Sequence, residues 1–207
     1  MSGDDLMRRR LLAAAGAGLA AAAVAPGAAL AAARKPKVII KTNHGSIIVE
    51  LEDRRAPITT ANFLRYVDER GYDGGLFYRA AKTPGRPKEG QIVGGANPHN
   101  HPFPPIAHES TTKTGLRHLT GTISLGRFSP GSATSAFFIC ASPQPYLDAH
   151  PEDPGDNQGF AAFGQVISGM SVVHKILSLP ANGKTNYVEQ KGQWLDPTVP
   201  IYSMRRV

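Results

Sequence analysis

Between residues 38 and 204 the chain lays down eight short β-branched or apolar runs and just two segments with helical spacing. The strands do not alternate with the helices. A doubly wound parallel sheet needs a helix between successive strands, so that architecture is excluded. Val38 to Thr42 and Ser46 to Leu51 flank Asn43-His44-Gly45, a hairpin connection in which Gly45 can take positive φ. Further strands are expected at 76–80, 91–95, 121–126, 136–141, 160–167 and 199–204. One helix starts at Pro57, with Thr59 or Thr60 as its cap, Phe63, Leu64 and Val67 as its apolar face and Gly71 as its stop. The other starts at Met170 and brings Val173, Ile176 and Leu177 to one side before Pro180. Residues 96–120 carry turn formers without periodicity, and 149–158 is an acidic, Pro-rich loop. Many short strands in a chain of this length favour an all-β class, a closed antiparallel barrel with the two helices at its ends.

The first 33 residues do not read as part of that fold. Arg8-Arg9-Arg10 precede LLAAAGAGLAAAAVA at 11–25, an uncharged run of nine Ala, three Leu, two Gly and one Val. Ala29-Leu30-Ala31 or Ala31-Ala32-Ala33 then supplies small residues suited to a cleavage site. This is the three-part layout of an export signal, and the run before Pro26 is shorter than the roughly 20 residues a bilayer span needs. Paired arginines before an Ala/Gly-rich core point to the twin-arginine route, with the general secretory route as the alternative. The expected organisation is therefore a leader over 1–33 and one domain over 34–207, periplasmic or secreted, with no membrane insertion after cleavage. Removing 1–33 takes away three Arg and two Asp and leaves a net charge of +6, from +7 for the whole chain. Those charges are scattered, with no basic stripe and interleaved aromatics, so nucleic-acid binding is not expected. The domain is taken as a monomer.

The stretch GTISLGRFSPGSATSAFFICA at 121–141 carries the most specific chemistry. An alternating run leads into a loop of Ser, Gly, Ala and Pro, and the loop ends on two adjacent phenylalanines. Strand alternation puts Phe137 and Ile139 on one face and Phe138 on the other. If 137 and 139 fill the barrel, Phe138 faces out and needs a pocket. His99, His101, His108 and His118 have no Asp/Cys frame around them, so a metal site is not expected. No G-x-S-x-G elbow accompanies the Ser and His residues, which argues against a hydrolase. Cys140, the only cysteine, has no basic neighbour and reads as an inert packed thiol.

The serial order of LFYRA at 76–80, the Gly94-Gly95 pair, the 121–141 stretch, Tyr146-Leu147-Asp148 and FAAFGQVISGM at 160–170 resembles the cyclophilin family of peptidyl-prolyl isomerases across nearly all of 38–206. The resemblance implies an eight-stranded antiparallel barrel capped by two helices, with a proline site on its outer face. It places Arg79 at the family's catalytic arginine, Phe138 at the floor of the proline pocket and Leu147 at an apolar wall. Tyr146 stands where many members have tryptophan. Val93 replaces the glutamine before the Gly pair, and Gln91, two residues back on the same strand face, offers an amide by another route. Arg127 stands at the loop asparagine, Ala136 at the glutamine before FFI, and Phe160 at the pocket-rim histidine.

The residues that match suit this chemistry. Rotation about an X–Pro bond faces a barrier of about 20 kcal/mol, and no bond breaks, so neither nucleophile nor cofactor is required. Twisting the amide returns a lone pair to the prolyl nitrogen, and a guanidinium held there binds the twisted state better than the planar one. The expected partners are proline-containing polypeptide segments. A non-catalytic proline-peptide binding or chaperone module on the same barrel is the alternative.

Overall fold

The structure is a computed structural model that describes residues 34–97 and 103–207; the expected leader and the His99 and His101 positions lie outside the described residues. Eight strands close into one antiparallel barrel: β1 (Lys37–Thr42), β2 (Gly45–Leu51), β3 (Gly75–Thr83), β4 (Arg86–Gly95), β5 (Thr122–Leu125), β6 (Phe137–Cys140), β7 (Ala161–Ser168) and β8 (Trp194–Arg206). Around the barrel they run β1-β2-β7-β5-β6-β4-β3-β8, with β8 returning to β1. Closure leaves the sheet without open edges.

The interior follows from strand alternation. Val38 and Ile40 of β1, Ile47, Val49 and Leu51 of β2, and Phe137 and Ile139 of β6 are buried in one core. Phe137 sits edge-on to Phe77 at 5.5 Å and to Tyr72 at 5.6 Å, the packing that ring quadrupoles favour. Gly94 is required where β4 presses on β3, since a Cβ there would lie 2.9 Å from a carbon of the Phe77 ring.

Helix α1 (Pro57–Asp68) turns Phe63, Leu64 and Val67 into the core, and α3 (Met170–Ser178) does the same with Val173, Ile176 and Leu177. Two helices are expected and three α-helices are present among the described residues: α2 (Thr111–Thr114) is a single turn inside the 96–120 stretch, too short to show a period. The cap of α1 also differs from expectation. Pro57, with its fixed φ, opens the helix, so Thr59 and Thr60 fall inside the first turn rather than at the cap. The free N–H groups of Ile58 and Thr59 instead donate to the two carboxylate oxygens of buried Glu109, at 3.2 and 2.7 Å. A carboxylate at a helix N-terminus both accepts these bonds and offsets the helix dipole. At the other end the left-handed residue is Arg70 (φ 56°), while Gly71 sends its N–H back to the Tyr66 carbonyl.

Candidate functional site

One row of cross-strand partners crosses five strands. Trp194 of β8 is opposite Arg79 of β3, Arg79 is opposite Val93 of β4, Val93 is opposite Phe138 of β6, and Phe138 is opposite Ser124 of β5. Directly paired residues share a face of the sheet. Since Phe137 and Ile139 point inward, this row lies on the outside of the barrel. There Val93, Phe138, Cys140 and Leu147 form a second apolar cluster, separate from the core, with Tyr78 and Phe160 packed against it.

A cavity of about 420 Å³ opens over that row. Arg79, Gln91, Val93, Arg127, Ala136, Phe138 and Phe160 all line it. Gly126, Ser132 and Thr134 of the small-residue loop form another wall. Leu147 is buried in the cluster with Phe138. Tyr146 is 66% exposed, and its hydroxyl donates to the Gln91 side-chain oxygen at 3.4 Å. Phe138 is held from two sides: Phe160 meets it edge-on at 5.4 Å, and the His118 ring stacks on it at 5.6 Å.

Arg79 is half-buried and carries no carboxylate partner. Its Nε and Nη2 both donate to the Gln193 side-chain oxygen, at 2.8 and 2.5 Å. Burial pulls its pKa below the ordinary arginine value, with the neighbouring Tyr78, Tyr146 and Glu189 opposing that. An arginine still keeps its proton under such a shift, so the cavity wall holds a fixed, partly desolvated cation. Gln91, the amide expected near this arginine, lines the same cavity and accepts from Tyr146 through its side-chain oxygen.

Arg127 lines the cavity with its guanidinium already committed. Nη1 and Nη2 make a forked pair with the Asp156 carboxylate at 2.6 and 3.0 Å, and Nε donates to the Gly159 carbonyl at 2.8 Å. Its charge also lies 5.3 Å from the centre of the Phe160 ring. The acidic 149–158 loop is thus tied back onto the cavity rim. The same contact holds the Asp156 carboxyl below the usual range.

Beneath Phe138, buried His118 bridges two groups. Its Nδ1 donates to Asp148 at 2.7 Å, and its Nε2 then accepts from the Ser124 hydroxyl at 2.9 Å. The connectivity is that of a Ser-His-Asp hydrolase triad, yet Ser124 is fully buried and no substrate reaches it. The three residues support the cavity floor. Burial lowers the His118 pKa, and Asp148 only partly restores it. A folded value below the unfolded one, about 6.5, means that the unfolded chain takes up the proton first as pH falls. Stability is therefore expected to drop as pH goes below about 6.5. Urea denaturation at pH 7.5 and 5.5 checks this: the parent should lose more than a His118→Asn variant, and an equal loss in both contradicts it.

Burial pushes the Cys140 thiol up to about 12, so it stays a neutral thiol. His108 lies against the Gln158 carbonyl at 2.9 Å. Among the described residues, no group of three or more His, Cys, Asp or Glu is placed to hold a metal ion.

Sequence reasoning missed the third wall. Tyr78 stacks on Trp194 at 5.2 Å, and Tyr187 and Gln190 complete that side of the cavity. The Trp194 indole N–H donates to the Gln190 side chain at 3.1 Å. The signal available was the chain's single tryptophan beside Gln190 and Gln193 in YVEQKGQW, a segment with no strand period of its own.

Comparison with known proteins places this geometry. Residues 37–205 match the model of the cyclophilin type peptidyl-prolyl cis-trans isomerase family. Peptidyl-prolyl cis-trans isomerase A of Dickeya dadantii is 37% identical over 140 residues, covering 67% of this chain and 70% of that protein. Peptidyl-prolyl cis-trans isomerase B of Escherichia coli is 34% identical over 148 residues, covering 67% and 82%. Among solved structures, a cyclophilin type isomerase of Cryptosporidium parvum, crystallised in the presence of the dipeptide Ala-Pro, superposes with a TM-score of 0.59 at 20% identity, covering 82% of this chain and 97% of that one. At that identity the superposition speaks for the fold.

Proposed function

This chain belongs to the cyclophilin-type peptidyl-prolyl cis-trans isomerases, and from that premise we propose that it isomerises X–Pro bonds by holding the proline ring over Phe138 while Arg79 hydrogen-bonds the prolyl nitrogen. The observation that carries the reading is the shared row: among the described residues, the cation on that cavity wall whose hydrogen-bond partner is not a carboxylate is the cross-strand neighbour, one strand removed, of the aromatic floor. In the planar amide the nitrogen lone pair is delocalised and accepts poorly. At the twisted state it is localised, so the guanidinium stabilises that state selectively. The apolar floor and the small-residue wall strip water from the bond and strengthen the interaction. A millionfold acceleration corresponds to about 8 kcal/mol, shared between this donor and the anchoring of the ring. Val93, Phe138, Leu147, Tyr146, Gln91, Ala136 and Phe160 serve as substrate-binding surface, with Arg127 shaping the rim through Asp156.

The Ala-Pro dipeptide present with the Cryptosporidium parvum structure suits the substrate class proposed for this chain, proline-containing polypeptide segments. A protease-coupled assay on an Ala-Ala-Pro-Phe-type peptide tests the reading directly, with acceleration proportional to protein concentration as the expected result. The second reading, a binding module without turnover, draws on the apolar Val93 and Ala136 and on the occupied Arg127. It prevails if the peptide binds and its rate stays at the uncatalysed value.

We further propose that the protein acts outside the cytoplasm, on folding clients in the periplasm or as a secreted protein. The support is the sequence of residues 1–33, with its paired arginines and Ala-rich run. Fused to a folded reporter, 1–33 should direct export that fails when Arg8 and Arg9 are both replaced by lysine. Undiminished export of that variant removes the twin-arginine route.

A further inference from the structure

Arg79 has a cross-strand neighbour, Val93, with no polar atom to hold a guanidinium in place. The acceptor comes from elsewhere, 114 residues along the chain. Gln193 Oε1 receives both Nε and Nη2 of Arg79, a two-point contact that fixes the plane of the guanidinium and not just its position. The other end of the same amide is also fixed, because Gln193 Nε2 donates to the Glu189 carbonyl at 3.2 Å. With an acceptor below one end and donors above the other, the amide has one orientation that satisfies both. Its backbone is pinned as well: the Gln193 carbonyl accepts from the Ala80 N–H at 2.8 Å, and the Gln193 N–H donates to the Gln190 carbonyl at 3.1 Å.

We propose that Gln193 is the positioning residue for the isomerisation, holding the Arg79 guanidinium so that its remaining N–H groups face the cavity. The inference rests on the Arg79 reading above. Physical chemistry favours an amide in this role over a carboxylate. A carboxylate would orient the guanidinium equally well while offsetting the charge that stabilises the twisted amide; a neutral oxygen orients it and leaves the charge intact. Orientation matters because a donor misplaced by about an ångström forfeits much of its effect at the transition state. Gln193 does not line the cavity itself, so its loss should fall on turnover and spare peptide affinity.

The test uses kcat and KM for an X–Pro peptide from exchange NMR, on the parent chain and on Gln193→Leu, Arg79→Ala and Gln193→Leu/Val93→Gln. Gln193→Leu should lower kcat about tenfold, a fold-change that one weakened charged hydrogen bond accounts for, with KM within about twofold of the parent. The double variant should recover several-fold of the loss, because a glutamine at 93 returns an amide from the cross-strand position next to Arg79. An unchanged kcat in Gln193→Leu beside a collapsed kcat in Arg79→Ala overturns the positioning role and leaves the Arg79 reading standing. So does a loss that falls wholly on KM, or a double variant no faster than Gln193→Leu. An Arg79→Ala variant as fast as the parent overturns the reading beneath it.

Discussion

Replacing Arg79 with alanine should lower kcat for X–Pro isomerisation by about 10²–10³-fold, the range seen when one preorganised donor is removed from a water-excluded site. Peptide affinity should change little, because the planar amide of the ground state makes weak use of that donor. The loss should be larger than a surface arginine would give, since this guanidinium is half-buried and its hydrogen-bond acceptor is the neutral Gln193 amide, not a carboxylate. Arg79→Lys should recover only a small part: an ammonium carries the charge but lacks the planar fork that Gln193 holds at two points. Single-turnover or exchange measurements at saturating peptide separate these effects from binding.

Phe138→Ala should act on binding and stability together. Burying the three ring methylenes of proline is worth about 0.8 kcal/mol each. Removing the floor forfeits roughly half of that, which raises KM about tenfold. The ring is 3% exposed and wedged between Phe160 and His118, so its removal should also cost the fold about 3 kcal/mol. Phe138→Leu keeps an apolar floor and should restore most of both quantities. Thermal melts and peptide titrations check the two arms independently. A tenfold KM change with unchanged stability would mean that the cluster under the cavity does not depend on the ring.

Much of this architecture is legible from residue pattern alone. The β-branched runs at 38–42 and 46–51 mark two strands, and the alternation of the pleat then sends Val38, Ile40, Ile47 and Val49 to the interior. The same alternation at 137–139 separates the core phenylalanine from the one on the outer face. What stays hidden is set by distance along the chain and by irregular pairing. The start of β8 is masked by Pro197, so the strand expected from 199 begins at Trp194 instead. The strand survives this proline because the β3–β8 register shifts between Phe77 and Arg79, passing from Val199 to Trp194 across Pro197. That shift is what sets Trp194 opposite Arg79 and brings Gln193 within reach. The partner of Arg127 is hidden in the same way: it lines the cavity as expected, while Asp156, 29 residues on, pairs with its guanidinium. The capping role of Glu109 is equally invisible, because the helix it caps lies some 50 residues earlier.

The central claim is turnover at the outer-face cavity, and two-dimensional exchange NMR on a single sample tests it most directly. A proline peptide in large excess over the chain reports its own cis–trans exchange, which without catalysis takes tens of seconds or more. Amide signals of Val93, Phe138 and Ala136 report occupancy of the cavity in the same tube. The account predicts exchange cross-peaks at millisecond-to-second mixing times together with shifts at those three residues, and the loss of the cross-peaks but not of the shifts in Arg79→Ala. Shifts at the cavity with exchange at the uncatalysed rate in the parent would contradict it.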